Sequence, residues 1–326
     1  MDDHLVKKLV GVIVGASIAI PLILLMFIGP ASRGAPHDLP IGVVGPPAMV
    51  TKMGATLEAR QPGAFEVRSF ASAEELHEAV RDREVYGGVV PGPDPSTVIA
   101  SGAGPAAAQL ITQLGARIAA GGGPGAPEPR VVDVAPPAPD DPRGAGFAAM
   151  VMPVFMAGAI LGIALPQLTR RAGLTAALLP VGAAAIGGAS VGAAMAVGVL
   201  PGGFWSQAFA MSTGILAIGA AIAGLVTLVG VGGIGVAVVL FMLIGMPLAG
   251  IGSPPEFLPG IWASVGQWLP LGATGTALRG AAFFADGKLI GAGSAQAFAA
   301  LVLWIAVGYA LLGLAHRRRE RVAVDD

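Results

Sequence analysis

The sequence predicts an all-α membrane protein: six transmembrane helices, a re-entrant helical pair before the last, and a small extracytoplasmic α/β domain inserted after the first helix. Three observations predict it. The 326-residue chain is 54% hydrophobic and only 12% charged, with a mean hydropathy of +0.76. That is half the charge of an ordinary soluble domain, about 25%. Six apolar runs are long enough to cross a hydrocarbon core of about 30 Å, which takes ~20 residues. The stretch from Arg33 to Arg143, between the first two runs, holds 13 acidic and 9 basic residues, most of the charge in the chain. The expected parts are an N-terminal span (1–30), an extracytoplasmic domain with its linker (31–145), a five-helix membrane domain (146–316) whose re-entrant element is 253–293, and a basic cytoplasmic tail (317–326).

The first span is Leu9–Gly29, preceded by Lys7 and Lys8. It is too long for the usual h-region of a cleaved signal peptide, about 7–15 residues, and reads as an uncleaved anchor. Pro40–Gly45 then reads as a strand, Ala48–Arg60 as a helix, and Ala64–Phe70 as a strand by alternation. Ser72–Glu84 opens on Ser72 with Glu75 three residues on and carries Leu76 and Val80 on one face, a capped amphipathic helix. Val85–Pro91 and Ser96–Ala100 are strands around a Pro/Gly/Asp turn, Pro105–Ala120 is a helix, and the Pro/Gly-rich Gly121–Gly144 reads as a linker back to the membrane. The order β-α-β-α-β-β-α suggests a small α/β domain.

The remaining spans are Phe147–Leu168, Leu174–Leu200, Phe204–Val229, Val231–Ile251 and Ala295–Ala315. Between the last two lie the short runs Gly260–Leu269 and Gly272–Phe284, separated by Pro270. Runs of ~10–14 residues are re-entrant or interfacial rather than spanning. Orientation follows from basic residues near span ends. Lys7 and Lys8, Arg170 and Arg171, and Arg317, Arg318, Arg319 and Arg321 all fall on the cytoplasmic side if both termini are inside, which puts residues 31–145 outside.

Several chemistries lack their residues. The chain has no cysteine, hence no disulfide, thiolate metal site or cysteine nucleophile. It has no Walker A sequence and no H-E-x-x-H, and His4, His37, His77 and His316 are scattered outside the spans. Gly230-Val-Gly232-Gly-Ile-Gly235 fits G-x-G-x-x-G, but apolar spans flank it, so it reads as a tight turn between membrane helices. Asp140-Asp141 reads as part of a solvated loop rather than a catalytic dyad. The formal net charge of −1 gives no bulk case for nucleic-acid binding. Ionisable residues are almost absent from the spans, which argues against a proton relay. The expectation is a protein that is not an enzyme and has no cofactor or metal.

Gly11/Gly15, Gly158/Gly162 and Gly188/Gly192 sit at the four-residue spacing that lets helix backbones approach. Each pair suits either a homodimer face or packing within one chain. The exception to the charge-free interior is Arg279, followed by Asp286 and Lys288. Three roles are open for it: snorkelling to the outer interface, capping carbonyls where the run enters the membrane, or contacting a lipid headgroup or anionic substrate.

The segments Gly252-Ser-Pro254-Pro255-Glu-Phe-Leu258-Pro259-Gly-Ile-Trp, Trp268-Leu269-Pro270-Leu-Gly272-Ala-Thr-Gly-Thr-Ala-Leu278-Arg279 and Phe283-Phe284-Ala-Asp-Gly287 occur in that order. With Ala73-Glu-Glu-Leu-His-Glu-Ala-Val and Tyr86-Gly-Gly-Val-Val-Pro91 they resemble the type-2 ABC exporter permease superfamily, in particular its YhgE/Pip-like branch. The layout of one span, an outer domain and five more spans is similar as well. The resemblance implies a homodimeric permease with the re-entrant pair near the outer mouth. It also implies a separate cytoplasmic ATPase and a hydrophobic or amphipathic cargo crossing the cytoplasmic membrane. The same branch includes secretion-associated and phage-infection proteins, so an envelope-interaction protein without transport of its own is the alternative. Expected partners are membrane lipids, a second copy of the chain, and either an ATPase subunit or an envelope protein.

Overall fold

The computed structural model describes residues 34–121, 127–252 and 254–325, with isolated positions before them. The first predicted span, Leu9–Gly29, with Lys7, Lys8 and the Gly11/Gly15 pair, falls largely outside the described residues; Val10, Ile13 and a few others of it are helical and exposed.

The charged stretch folds as an α/β layer. Its elements are β1 (Leu39–Val44), α1 (Pro47–Arg60), β2 (Phe65–Phe70), α2 (Ala73–Arg81), β3 (Gly87–Val90), β4 (Ser96–Ile99), α3 (Pro105–Ala120) and β5 (Arg130–Asp133). The sheet order is β2-β1-β3-β4-β5. β2, β1 and β3 run parallel, β4 pairs antiparallel with β3, and β5 pairs parallel with β4 from Ser96↔Arg130 to Ile99↔Asp133. One face buries Phe70, Leu76, Val80 and Val98 under α2; the other buries Leu39, Ile41, Ile99 and Ile111 under α1 and α3. α2 starts as the sequence suggests: the Ser72 side chain accepts the Glu75 N–H, and Glu75 reaches back to the Ala71 N–H at 2.8 Å. Two backbone donors of the first turn region are thereby satisfied.

β5 lies inside the predicted linker. Its sequence, Arg-Val-Val-Asp, is too short and too closely bordered by prolines to read as a strand, and only pairing with β4 makes it one. Asp133 then closes the edge by accepting from the Ser101 N–H and hydroxyl. Asp141, expected in a solvated loop, is buried: its Oδ2 accepts the Phe147 N–H at 3.0 Å. A carboxylate there satisfies a free donor in the first turn of the next helix and sits at the positive end of its dipole.

Among the described residues, five helices are long and apolar enough to cross a membrane: α4 (Ala145–Thr169), α5 (Ala172–Ala196), α6 (Phe204–Val229), α7 (Val231–Leu248) and α10, which is Ala295–Asp325 with its apolar part at Ala295–Arg318. Two short helices, α8 (Ile261–Trp268) and α9 (Pro270–Phe283), precede α10. At 1.5 Å per residue neither crosses ~30 Å.

α6 is the hub, with α4, α5, α9 and α10 packed around it. Lipid tails are as apolar as leucine, so helices in a bilayer associate through close packing rather than hydrophobic exclusion. Small residues supply that closeness here. Gly158 and Gly162 of α4 sit against Ile218 and Ile222 of α6, and Gly224 of α6 meets Gly308 of α10 backbone to backbone. The Gly158/Gly162 pair is therefore internal packing. Gly188 and Gly192 face nearly open space. The Gly-rich Gly230–Gly235 segment is a one-residue turn into α7, with Gly230 at φ 71°.

Eight residues of α7, Val238–Gly245, are π-helical. Runs of this length are rare, and no local residue pattern marks this one. It carries the fully buried Phe241, whose ring meets Trp304 edge-on at 5.2 Å.

The α/β domain and the arginine-bearing turns occupy opposite ends of the bundle. α4 begins at Asp141, Gly198 beyond α5 lies against Asp140, and α6 begins where Gly202 meets the Ala282 backbone. Arg170 and Arg171 lie at the far end, joining α4 to α5. The later half of α10 runs beside them: Tyr309 donates to the Ala176 carbonyl at 2.9 Å, and Leu312 packs with Leu179.

Candidate functional site at the seam of the α/β domain and the helical hairpin

The site begins at the end of α2. The Glu84 N–H bonds the Ala79 carbonyl at 2.9 Å and the Arg83 N–H bonds the Val80 carbonyl at 3.2 Å, the paired closure of a Schellman motif. Such a motif needs a left-handed residue, usually glycine. Here it is Arg83, at φ 61°. A non-glycine residue in that conformation costs about 1–2 kcal/mol. The strained turn aims the Arg83 side chain away from the domain and into the membrane helices. Its guanidinium donates to the carbonyls of Ala292 (3.4 Å) and Thr276 (3.5 Å) and lies over the Phe284 ring, 5.6 Å from its centroid.

Three residues on, Tyr86 donates its hydroxyl to Glu256 Oε2 at 2.7 Å. Glu256 is presented by the 3-10 turn Pro255–Phe257, where Pro254 and Pro255 set the backbone and their carbonyls accept from Phe257 and Leu258. The same residue's carbonyl accepts the His37 N–H at 2.7 Å, so the turn is tied to the α/β domain twice. On the membrane side, Gln267 of α8 accepts the Thr276 hydroxyl at 2.5 Å and donates to the Ala249 carbonyl at 3.2 Å.

These groups wall a cavity of about 460 Å³ between the α/β domain, α8, α9 and the start of α10. Among the described residues no carboxylate lies within 4.0 Å of either the Arg83 or the Arg279 guanidinium. Burial lowers the Arg83 pKa, while Tyr86 and Glu256 pull it back up. Burial first, then the Glu256 charge and its hydrogen bond, push the Tyr86 hydroxyl far above the ordinary phenol range, against a smaller opposing pull from Arg83 and Arg279. Tyr86 therefore stays a donor. The cavity wall sets Arg83 against Glu84 and Glu256, with the polar side chains of Tyr86, Gln267 and Thr276 beside them, next to an apolar bundle.

Arg279 does not snorkel. It is 5% exposed, donates to the Ile251 carbonyl at 2.7 Å, and lies 5.3 Å from the Phe147 ring centroid. The carbonyl-capping role is the one the geometry shows: the chain leaving α7 has free carbonyls, and the guanidinium supplies a donor where no water is at hand. The other motif residues are structural. Leu269 leaves the helical region at φ −82°, ψ 147°, and Pro270 starts α9 at a position that lacks no needed N–H. Gly272 passes the Gly266 backbone too closely for a side chain. Leu278 is in the bundle core, Pro254 and Leu258 are buried, and Pro255 and Pro259 are half-buried. α9 itself is buried along almost its whole length.

The described side chains of the basic group, Arg170, Arg171, Arg317, Arg318 and Arg321, are exposed, and Arg319 falls on the same helix as the last three. Arg170 takes a left-handed cap at φ 53°. Exposed tryptophans lie at the other end: Trp205 at the start of α6 and Trp262 at the start of α8 are 78% and 45% exposed. Amphipathic rings of this kind favour a membrane–water interface.

Sequence reading reached Arg279 and the prolines of the hairpin but not the Arg83–Tyr86–Glu256 cluster. The left-handed φ at Arg83 has no sequence signature, and Glu256 lies 170 residues from Tyr86. Comparison of the chain with protein-family models, curated proteins and solved structures finds no match.

Proposed function

We propose that the chain is an ABC-type permease-like subunit of the cytoplasmic membrane, with six spans. On this reading its termini and arginine-bearing turns are cytoplasmic and its α/β domain is docked on the outer mouth. It works as a homodimer and moves a hydrophobic or amphipathic molecule with the help of a separate ATPase. The observation that carries the reading is the seam cavity: a chamber walled by Arg83, Tyr86, Glu256, Gln267 and Thr276, rich in hydrogen-bonding groups, where an apolar bundle meets an extramembrane domain. Such a chamber suits an amphipathic molecule, whose tail prefers the bundle and whose polar head needs hydrogen-bond partners. The basic residues at the far end support the orientation, and the tryptophans at the near end suit an interface there. The homodimer draws support from the open Gly188/Gly192 stripe alone.

The test is ATP-driven uptake of a fluorescent amphiphile into inverted membrane vesicles, together with mild solubilisation of the native complex. Uptake that depends on ATP, and an ATPase recovered with the chain, are expected. A chain recovered without any ATPase and vesicles without uptake would refute the coupled transporter.

One observation favours a second reading. α4 joins α5 through Arg170 and Arg171 alone, and α6 joins α7 through Gly230 alone, so the basic end offers little surface for an ATPase to grip. An envelope-interaction protein, secretion-associated or phage-receptor-like, would need no such surface. Deleting residues 34–143 while keeping the spans separates the two: full function after deletion excludes the envelope-partner reading.

A further inference from the structure

The α/β domain holds a second cavity, of about 810 Å³, that shares no lining residue with the seam. It exists because of how the helices cover the sheet. α1 packs over β2 and α3 over β3 and β4, leaving a trough between them. Met53 and Leu57 of α1, Phe65 of β2, and Leu110 and Leu114 of α3 form its apolar lining. Lys52 and Arg60 on α1 and Arg117 on α3 stand along its rim, and no acidic residue lines it. None of the three cations has a carboxylate within 4.0 Å among the described residues. The nearby Glu58 is engaged elsewhere, accepting the Gly63 N–H at 3.0 Å.

We propose that this groove binds a single acyl chain carrying an anionic head group, of the long-chain carboxylate class. Each part of the ligand answers a feature of the groove. The volume is that of a site for one small molecule, about 300–1,000 Å³. The lining is apolar, and the thioether of Met53 adapts to a flexible chain. The rim offers three exposed positive charges without a counter-charge, which draw an anionic head group to the mouth of the apolar trough. A second copy of this chain is the poorer occupant. A two-fold contact through this face would set Lys52, Arg60 and Arg117 against themselves, and like charges repel most where water is excluded. The inference goes beyond the transport reading and does not depend on it.

The test uses the full chain in phosphatidylcholine nanodiscs with a palmitate that carries a photoreactive diazirine at mid-chain, the adducts being mapped by mass spectrometry. Adducts on α1 and α3 are expected. Labelling there should fall about tenfold in the Lys52→Glu/Arg117→Glu variant, and about tenfold when the same probe is offered as the neutral alcohol. Leu114→Trp, which fills the groove without altering charge, should remove it as well. Labelling of the spans serves as the internal control and should not change in any variant. Adducts confined to the spans would overturn the proposal. So would equal groove labelling by the alcohol, undiminished labelling of the charge-reversed variant, or a groove closed by self-association in light scattering. Loss of vesicle transport with groove labelling intact would refute the transport reading alone.

Discussion

Tyr86→Phe removes one hydroxyl and leaves the ring, so it isolates the bond that ties the α/β domain to the hairpin. The bond is 2.7 Å long and its acceptor is a carboxylate. Hydrogen bonds to charged groups contribute about 1.5–3 kcal/mol. Glu256 is half-buried, so water recovers part of the loss and the lower figure applies. A loss of about 1.5 kcal/mol raises the open population of the seam roughly tenfold. Amide hydrogen exchange on the full chain in nanodiscs reads this directly. Peptides covering 36–40 and 256–260 should exchange about tenfold faster, because the His37 N–H loses the Glu256 carbonyl when the turn lifts, and the turn's own Leu258 N–H to Pro255 bond frays once the turn is no longer anchored to the domain. The sheet core, Val43 and Val98, should not change. In the double variant Tyr86→Phe/Glu256→Gln the second change should add less than it does alone, since the two share one interaction. Unchanged exchange in the two seam peptides would refute the claim that this bond holds the domain down.

Three further outcomes are expected. Arg83→Gly should slow exchange at the end of α2, by relieving a left-handed residue worth about 1–2 kcal/mol, while speeding exchange of the seam peptides through loss of the guanidinium; Arg83→Lys should keep the strain and part of the seam protection. Thr97→Val should be neutral or slightly stabilising in chemical denaturation, because Thr97 Oγ1 is buried without a partner, whereas Gly115→Ala should cost about 1–3 kcal/mol by driving a methyl group into Thr97 and be partly rescued by Thr97→Ala. Gly308→Ala should broaden or abolish the monodisperse detergent peak, since its Cβ falls inside the α6 backbone at Ala220, while Gly192→Ala, with nothing within 4 Å, should leave the fold of one chain intact.

Much of the fold is legible in local pattern. The Ser72/Glu75 cap, the alternation of 64–70 and the apolar lengths of Phe204–Val229 and Ala295–Ala315 each act within one element, and their physics is short-ranged. What escapes is what depends on distant partners. β5 is a strand only because β4 has a free edge. Asp141 is buried only because the Phe147 N–H needs an acceptor. Arg279 is visible as an anomaly, a cation in an apolar stretch, but its carbonyl partner at Ile251 is 28 residues away, so no local pattern chooses among the three roles open to it. Arg83 was hidden twice: as one charge among many on an amphipathic helix end, and as a left-handed residue that sequence does not announce.

On the proposed orientation the α/β domain sits outside, over the mouth of a bundle whose arginine-bearing turns face the cytoplasm. The chain has no cysteine, so single introduced thiols report without background. Glu74 is exposed on α2, and Gly173, at the opposite end of the bundle, has nothing within 4 Å of an added side chain. In intact cells a membrane-impermeant maleimide should label Glu74→Cys at once and Gly173→Cys only after permeabilisation. Labelling of Gly173→Cys in intact cells, with Glu74→Cys silent, would refute this orientation.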